Sequence, residues 1–269
     1  MSGELRLSVQ ECLLTGDTLL AKWDAALAYG FGAIELRGQG GHRLRDRLPE
    51  LRAAARQGVV MPTVCVDMPH FIGDFDPRRR ADAIAQLRTQ LSVMAELGGL
   101  GAMTPASYGL FSRRLPPFVP PRSDTADREV LLDALTTLGE HAQREGVLIM
   151  LEPLNRYEDY LVNRLETAVE LAVATGLASV RVVADTYHGS IEEADPCAAV
   201  LGAAPHLSHV QVSDTNRLEP GAGHLDWPPL LAALRSCGYA GDLALECRLS
   251  GSATDVLPTV PAFLRKMGA

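Results

Sequence analysis

Four apolar runs in the second half of the chain each carry, at or near their end, a side chain that can hold a cation or carry a proton. Glu152 closes Val147–Leu151 and opens the stretch Glu152-Pro153-Leu154-Asn155-Arg156-Tyr157-Glu158. Asp185 closes Val180–Ala184 ahead of Thr186-Tyr187-His188, Gln211 lies in His209-Val210-Gln211-Val212, and Glu246 follows Leu243-Ala244-Leu245. A carboxylate at the end of an apolar run is expensive to desolvate unless something pairs with it. Three that met at one place would also repel one another. A divalent metal answers both difficulties, with Glu152, Asp185 and Glu246 as carboxylate ligands and the Gln211 amide oxygen as the fourth. Oxygen-only ligation favours a hard ion, Mn²⁺ or Mg²⁺, with Co²⁺ and Zn²⁺ left open. The competing reading pairs each carboxylate with a nearby arginine, and Arg156, Arg217 and Arg248 are the ones at hand.

Such residues reach one another only if the runs are parallel strands of one closed barrel, because strand ends then share a mouth. Short apolar runs do alternate with segments of helical period almost from end to end. The expected strands are Leu5–Val9, Ala33–Leu36, Val60–Val66, Gly101–Thr104, Val147–Glu152, Val180–Asp185, Leu207–Val212 and Leu243–Cys247. The expected helices are Thr18–Tyr29, Leu44–Gln57, Pro77–Leu97, Thr125–Glu145, Arg164–Thr175, Pro196–Ala203, Pro228–Cys237 and Asp255–Met267. Continuous apolar strands suit a parallel sheet covered on both faces. Eight strands alternating with eight helices predict an α/β fold, a (β/α)₈ TIM barrel in which residues 1–269 form a single domain. An open doubly wound sheet is the alternative, but no GxGxxG follows the first run. The longest irregular stretch, Pro105–Asp124, follows the fourth strand; it is either a lid over the mouth or a plain surface insertion.

Length and charge agree with a small-molecule enzyme. The chain has 269 residues, close to the roughly 250 of a single such barrel. Its 25 basic against 33 acidic side chains give a net charge of −8, which argues against nucleic acid, whose phosphates demand a basic face. Five cysteines without CxxC spacing read as reduced thiols of a cytoplasmic protein. No apolar run is long enough to cross a bilayer, and the first residues lack the pattern of a signal peptide, so no membrane partner is expected.

The stretches LEPLNRYEDY, VADTYHGSIEE, HVQVSDTNRLEPGAGHLDW and LALECR resemble the sugar phosphate isomerase/epimerase family of the xylose-isomerase-like barrel superfamily. The likeness is nearest to its ketose 3-epimerases, which act on tagatose, psicose and ribulose. It is strong over Val147 to Arg248 and a matter of pattern before that. The resemblance implies a metal held by Glu152, Asp185, Gln211 and Glu246, with Glu152 and Glu246 also forming the acid/base pair. It implies that Glu158, His188 and Arg217 contact a small sugar or keto-polyol substrate, and that the chain forms a homodimer or homotetramer. The implied chemistry is proton abstraction beside a carbonyl through an enediolate.

One departure stands out, since the family's usual metal-binding histidine is Gln211 here. Similar barrels acting as hydroxypyruvate isomerases, and some 3-dehydroshikimate dehydratases, also carry Gln there. An aldose/ketose isomerase and a 3-dehydroshikimate or inosose dehydratase therefore stay open beside epimerisation, as does, more remotely, a non-catalytic sugar-binding barrel. Glu35 is read as a substrate contact or as a partner of Arg37 or another barrel arginine. His209 is read as a satisfied histidine of the core or just behind the site, with a catalytic role as the alternative, and His224 as an organiser of its loop or a residue that reaches the mouth.

Overall fold

The computed structural model describes residues 4–110 and 119–269. Eight parallel strands follow one another round a closed barrel. They are β1 (Leu7–Gln10), β2 (Ala33–Arg37), β3 (Thr63–Cys65), β4 (Gly101–Pro105), β5 (Leu148–Glu152), β6 (Val180–Asp185), β7 (Leu207–Val212) and β8 (Leu243–Leu245). The last closes on the first through the pairs Leu7↔Leu243 and Val9↔Leu245. The barrel expected from the alternation of runs is the barrel found.

Strand side chains alternate between two faces, and here the faces have different company. Val9, Ile34, Leu36, Val64, Ala102, Ile149, Leu151, Val182, Val210, Val212, Leu243 and Leu245 belong to the large apolar core between barrel and helices. The intervening residues face the lumen, where Cys65, Met103, Met150 and Val183 form a small separate cluster. Two residues further along β5 and β6 stand Glu152 and Asp185, on that same lumen face. Parity thus explains why the carboxylates that end β5 and β6 point into the lumen.

In β7 the parity needs a device. Leu207 pairs with Val182 and His209 with Val183, so the ladder skips Ser208. The bulge lets Leu207 pack outward with the helices while His209 and Gln211 turn into the lumen. Gln211 then pairs directly with Asp185.

The helices on the outside are α1 (Leu19–Tyr29), α2 (Arg43–Asp46), α3 (Leu48–Arg56), α4 (Pro77–Leu97), α5 (Asp124–Glu145), α6 (Leu165–Ala174), α7 (Thr186–Glu192), α8 (Pro196–Ala203), α9 (Trp227–Ser236), α10 (Ala253–Val256) and α11 (Thr259–Met267). The two longest begin on side-chain caps: the Asp76 carboxylate accepts from the Arg78 amide and the Ser123 hydroxyl from that of Ala126. Two expected helices are each divided in two. Leu44–Gln57 breaks into α2 and α3 because Pro49 has no amide to give to the turn before it. Pro258 does the same to Asp255–Met267, leaving α10 and α11. A further helix, α7, occupies a segment read as the loop after β6.

The interval Pro105–Asp124 is only partly described, since residues 111–118 lie outside the described residues, and the lid reading falls largely on them. Its far flank is anchored by Arg122, which pairs with Asp127 at 2.6 Å and donates to the Asp74 carbonyl at 3.2 Å. Among the described residues no helix is long and apolar enough to cross a membrane.

Candidate active site

The lumen face ends in a cluster of charge. Asp185 is buried and divides its two oxygens: one caps α7 by accepting the His188 amide at 2.9 Å, the other accepts from the Arg217 guanidinium at 2.9 Å. The second terminal nitrogen of Arg217 lies 3.1 Å from Glu246, and the guanidinium stacks 4.9 Å from the centre of the Tyr187 ring. Glu246 also stands 3.8 Å from Arg37 and 3.8 Å from the Cys65 sulfur. Glu152 is different, since among the described residues no arginine pairs with it. Burial, then the charges of Glu246 and Asp185, push its carboxyl well above the usual glutamate range.

Arg217 owes its place to a loop built around one carboxylate. Asp214 accepts from the amides of Thr215, Gly221 and Leu225 at 2.8, 2.9 and 3.0 Å and from the Trp227 indole at 3.1 Å. A side chain at position 223 would collide with it, since a Cβ there would lie 2.1 Å from an Asp214 oxygen. This packing explains the Gly-Ala-Gly-His-Leu-Asp-Trp stretch. The same loop holds Arg217 in left-handed backbone at φ 61°, a conformation that costs a non-glycine residue free energy. His224 faces the Thr215 hydroxyl at 2.9 Å, inside the loop, which agrees with the loop-organising one of its two readings.

His188 is oriented from behind. Its Nδ1 accepts the Asn155 backbone amide at 3.0 Å, with the Asn155 side-chain nitrogen 2.8 Å away. That side-chain nitrogen also donates to Glu158 at 3.1 Å. In the neutral ring the proton must then sit on Nε2, which stands 3.9 Å from Glu152. Burial first of all holds the imidazole below the usual histidine range, so the neutral form is favoured. One residue missed by sequence reading is therefore Asn155, and the signal available was only its place in EPLNRYE.

Beneath the mouth lies a second polar group. Glu35 is fully buried and accepts from Gln10 and Gln211 at 3.0 Å each, from Thr63 at 2.9 Å and from His209 at 2.7 Å. Burial alone would raise its carboxyl, but the charge and hydrogen bond of His209, with the amides of Gln10 and Gln211, hold it below the ordinary value. The expected partner Arg37 is instead spread between Gln10 at 3.4 Å, Asp67 at 3.5 Å and Glu246. The direct substrate contact is not what the geometry shows, whereas the satisfied-core reading of His209 is.

The arginine-pairing alternative holds for Asp185 and Glu246, both through Arg217. Arg156 turns away to Glu192 at 2.8 Å, and among the described residues Glu152 has no arginine partner. The donors present fit a hard divalent cation. The Gln211 oxygen is buried without a hydrogen-bond partner, and Glu152 is crowded by like charge. Glu152, Asp185 and His188 bring one ligand-type atom each within 4.8 Å of the others. With its Nε2 protonated, His188 meets that group as a donor rather than a ligand. Glu246 is not in this compact trio, being drawn toward Arg217.

A closed parallel barrel with acid/base side chains at its mouth defines the class. The chain belongs to the xylose isomerase-like TIM barrel family, whose model matches residues 23–267. It is 34% identical to 3-dehydro-D-guloside 4-epimerase of Escherichia coli (strain K12), over 91% of this chain and 93% of that protein. It is 29% identical to a D-psicose 3-epimerase of Enterocloster bolteae, over 83% of this chain and 74% of that one. The crystal structure of an E. coli 3-keto-D-glucoside 4-epimerase superimposes with a TM-score of 0.91 at 33% identity, covering 98% of this chain and 100% of that one. With carbohydrate epimerases as relatives over nearly its whole length, the chain is an enzyme of the isomerase class.

Proposed function

We propose that the protein inverts the carbon next to a ketone in a keto sugar, that a divalent cation held by Glu152, Asp185, Gln211 and Glu246 supports the reaction, and that the substrate is a 3-keto glycoside inverted at C4. The observation that carries the reading is the convergence of three carboxylates with the free amide oxygen of Gln211 at one mouth. The relatives' names describe one chemistry at two positions. A 3-dehydro sugar epimerised at C4 and a 2-ketose epimerised at C3 both change the carbon beside the carbonyl. The 34% identity to the 3-dehydro-D-guloside 4-epimerase over 91% of this chain favours the glycoside. The psicose 3-epimerase relative supports a free ketose as the second reading.

When bound, a divalent ion here supplies Lewis-acid stabilisation of negative charge on the substrate carbonyl oxygen. Glu152, whose carboxyl holds protons more tightly than usual, takes the proton from the carbon beside the ketone, breaking one C–H bond. Glu246 gives a proton to the opposite face of the same carbon, forming the new C–H bond with inverted configuration. Arg217 and the Nε2–H of His188 hold substrate oxygens as charge develops, and Glu158 binds a hydroxyl.

Purified enzyme in D₂O with Mn²⁺ is tested against 3-keto glucosides, psicose, tagatose and ribulose, with NMR reading deuterium beside the ketone. Inversion with one solvent deuteron at C4 of a 3-keto glycoside is the expected result. Exchange confined to C3 of a free ketose would select the second reading. No exchange with any of them, with or without metal, would overturn both.

A further inference from the structure

A carboxamide has two ends that differ in sign, and the end that Gln211 turns to the mouth decides whether it helps or opposes a cation. We propose that Glu35 is a positioning residue that fixes this orientation, a step that rests on the metal reading above. Glu35 can only accept hydrogen bonds when ionised, and one of its oxygens takes the Gln211 Nε2 at 3.0 Å. The Gln211 oxygen is thereby turned away from Glu35, buried and without a partner of its own.

The opposite orientation would be attractive without this anchor. Asp185, paired with Gln211 across β6 and β7, and Glu152 and Glu246 around the mouth are all acceptors. They would draw the amide NH₂ toward themselves and so fill the place of a cation with donor protons. Glu35 holds the amide against that pull. Gln10, Thr63 and His209 supply its three other hydrogen bonds and keep the carboxylate ionised and in place, at 3.0, 2.9 and 2.7 Å. Gln10 is itself a strand neighbour, in register with Glu35 across β1 and β2. Every acceptor site of Glu35 that these contacts use faces a donor, so it has no free lone pair directed to substrate. The barrel interior therefore tunes the mouth through one amide.

The test is a double-mutant cycle on the full chain, with Mn²⁺ affinity measured by titration calorimetry. Glu35→Gln introduces an NH₂ that competes for the Gln211 oxygen, and is expected to weaken Mn²⁺ by about 10- to 100-fold, the usual effect of losing a group that orients a ligand. Gln211→Ala is expected to weaken it at least as much. The double variant should bind no more weakly than Gln211→Ala alone, within about twofold, because Glu35 acts through that side chain. Wild-type affinity in Glu35→Gln, or losses that multiply in the double variant, would overturn the proposal. A wild-type protein that binds no Mn²⁺ would instead bring down the metal reading, and this step with it.

Should Glu35→Gln fail to fold, the wild-type protein still answers by NMR, with the Gln211 side chain assigned against Gln211→Ala. On Mg²⁺ addition its Cδ resonance is expected to move while its NH₂ protons stay slow to exchange. Loss of that protection on Mg²⁺ binding would show that the amide turns, and would overturn the proposal.

Discussion

The barrel interior around Glu35 and the mouth around Glu152 are nearly equally dry, with the two residues 0% and 4% exposed, yet they treat a carboxylate in opposite ways. Around Glu35 the chain gathers four donors, one of them His209, and the proton is held off despite complete burial. Around Glu152 it gathers Glu246 and Asp185, and the carboxyl is pushed up. Burial is common to both, so the neighbours decide. One arrangement is complete in itself and serves as scaffold; the other is incomplete as protein alone and is poised for a cation, a proton or a substrate. Groups whose surroundings drive them apart in this way mark out which of several carboxylates does the chemistry.

Substitution at each site should break the comparison in a different measurement. Glu152→Gln is expected to slow deuterium exchange beside the ketone by about a thousandfold, within the range for loss of a general base. The same change should leave the metal-free protein at least as stable as wild type, since a neutral amide escapes the burial and like charge that raise the Glu152 carboxyl. Exchange at the wild-type rate would remove Glu152 from the reaction. Glu35→Ala should do the reverse to the fold, lowering unfolding free energy in urea by about 3–5 kcal/mol because His209 and two amides lose a buried partner. A loss well under 1 kcal/mol would mean that the lumen network contributes little.

The smallest effect is on pH dependence. A carboxyl raised in the folded state binds its proton more tightly there than in the unfolded chain, so its contribution to stability falls as pH rises above the ordinary 4.5 toward the raised value. Without metal, the melting temperature of Glu152→Gln should therefore gain on wild type as pH increases from about 4.5, and Mn²⁺ should narrow the gap. A difference that stays flat from pH 4 to 8 would show that the Glu152 carboxyl is not raised in the folded chain.

Much of this was legible in the order of residues. Glu152, Asp185 and Glu246 were each visible as a carboxylate closing an apolar run, because parallel barrel strands are buried on both faces and only their ends meet water; Gln211 was visible near the end of a fourth. What could not be read was contact at long range. Glu35 seemed to call for Arg37, two residues away, but the side chain that meets it is His209, 174 positions along the chain. Arg37 sits higher on the same strand and reaches Asp67 and Glu246 instead. Arg156 seemed near Glu152 and instead pairs with Glu192 outside the mouth. The short helix α7 was not among the expected helices; Asp185 caps it with one oxygen and accepts from Arg217 with the other. The two divided helices were missed because apolar period runs straight through a proline whose lack of an amide stops the backbone.

The skipped residue in β7 gives Gln211 a dependence that no substitution table would reveal. Written as LSHVQV, the strand looks like a simple alternation in which Leu207, His209 and Gln211 share a face. Ser208 acts instead as a frame shift: before it the strand keeps time with the helices, after it with the lumen. A register that ran on from Leu207↔Val182 without the skip would set Val210 opposite Asp185, and the mouth would present a methyl pair where it now presents an amide. The chemistry of this barrel therefore hangs on a matter of counting, and single-residue insertions or deletions near Ser208 threaten it more than most changes of side chain.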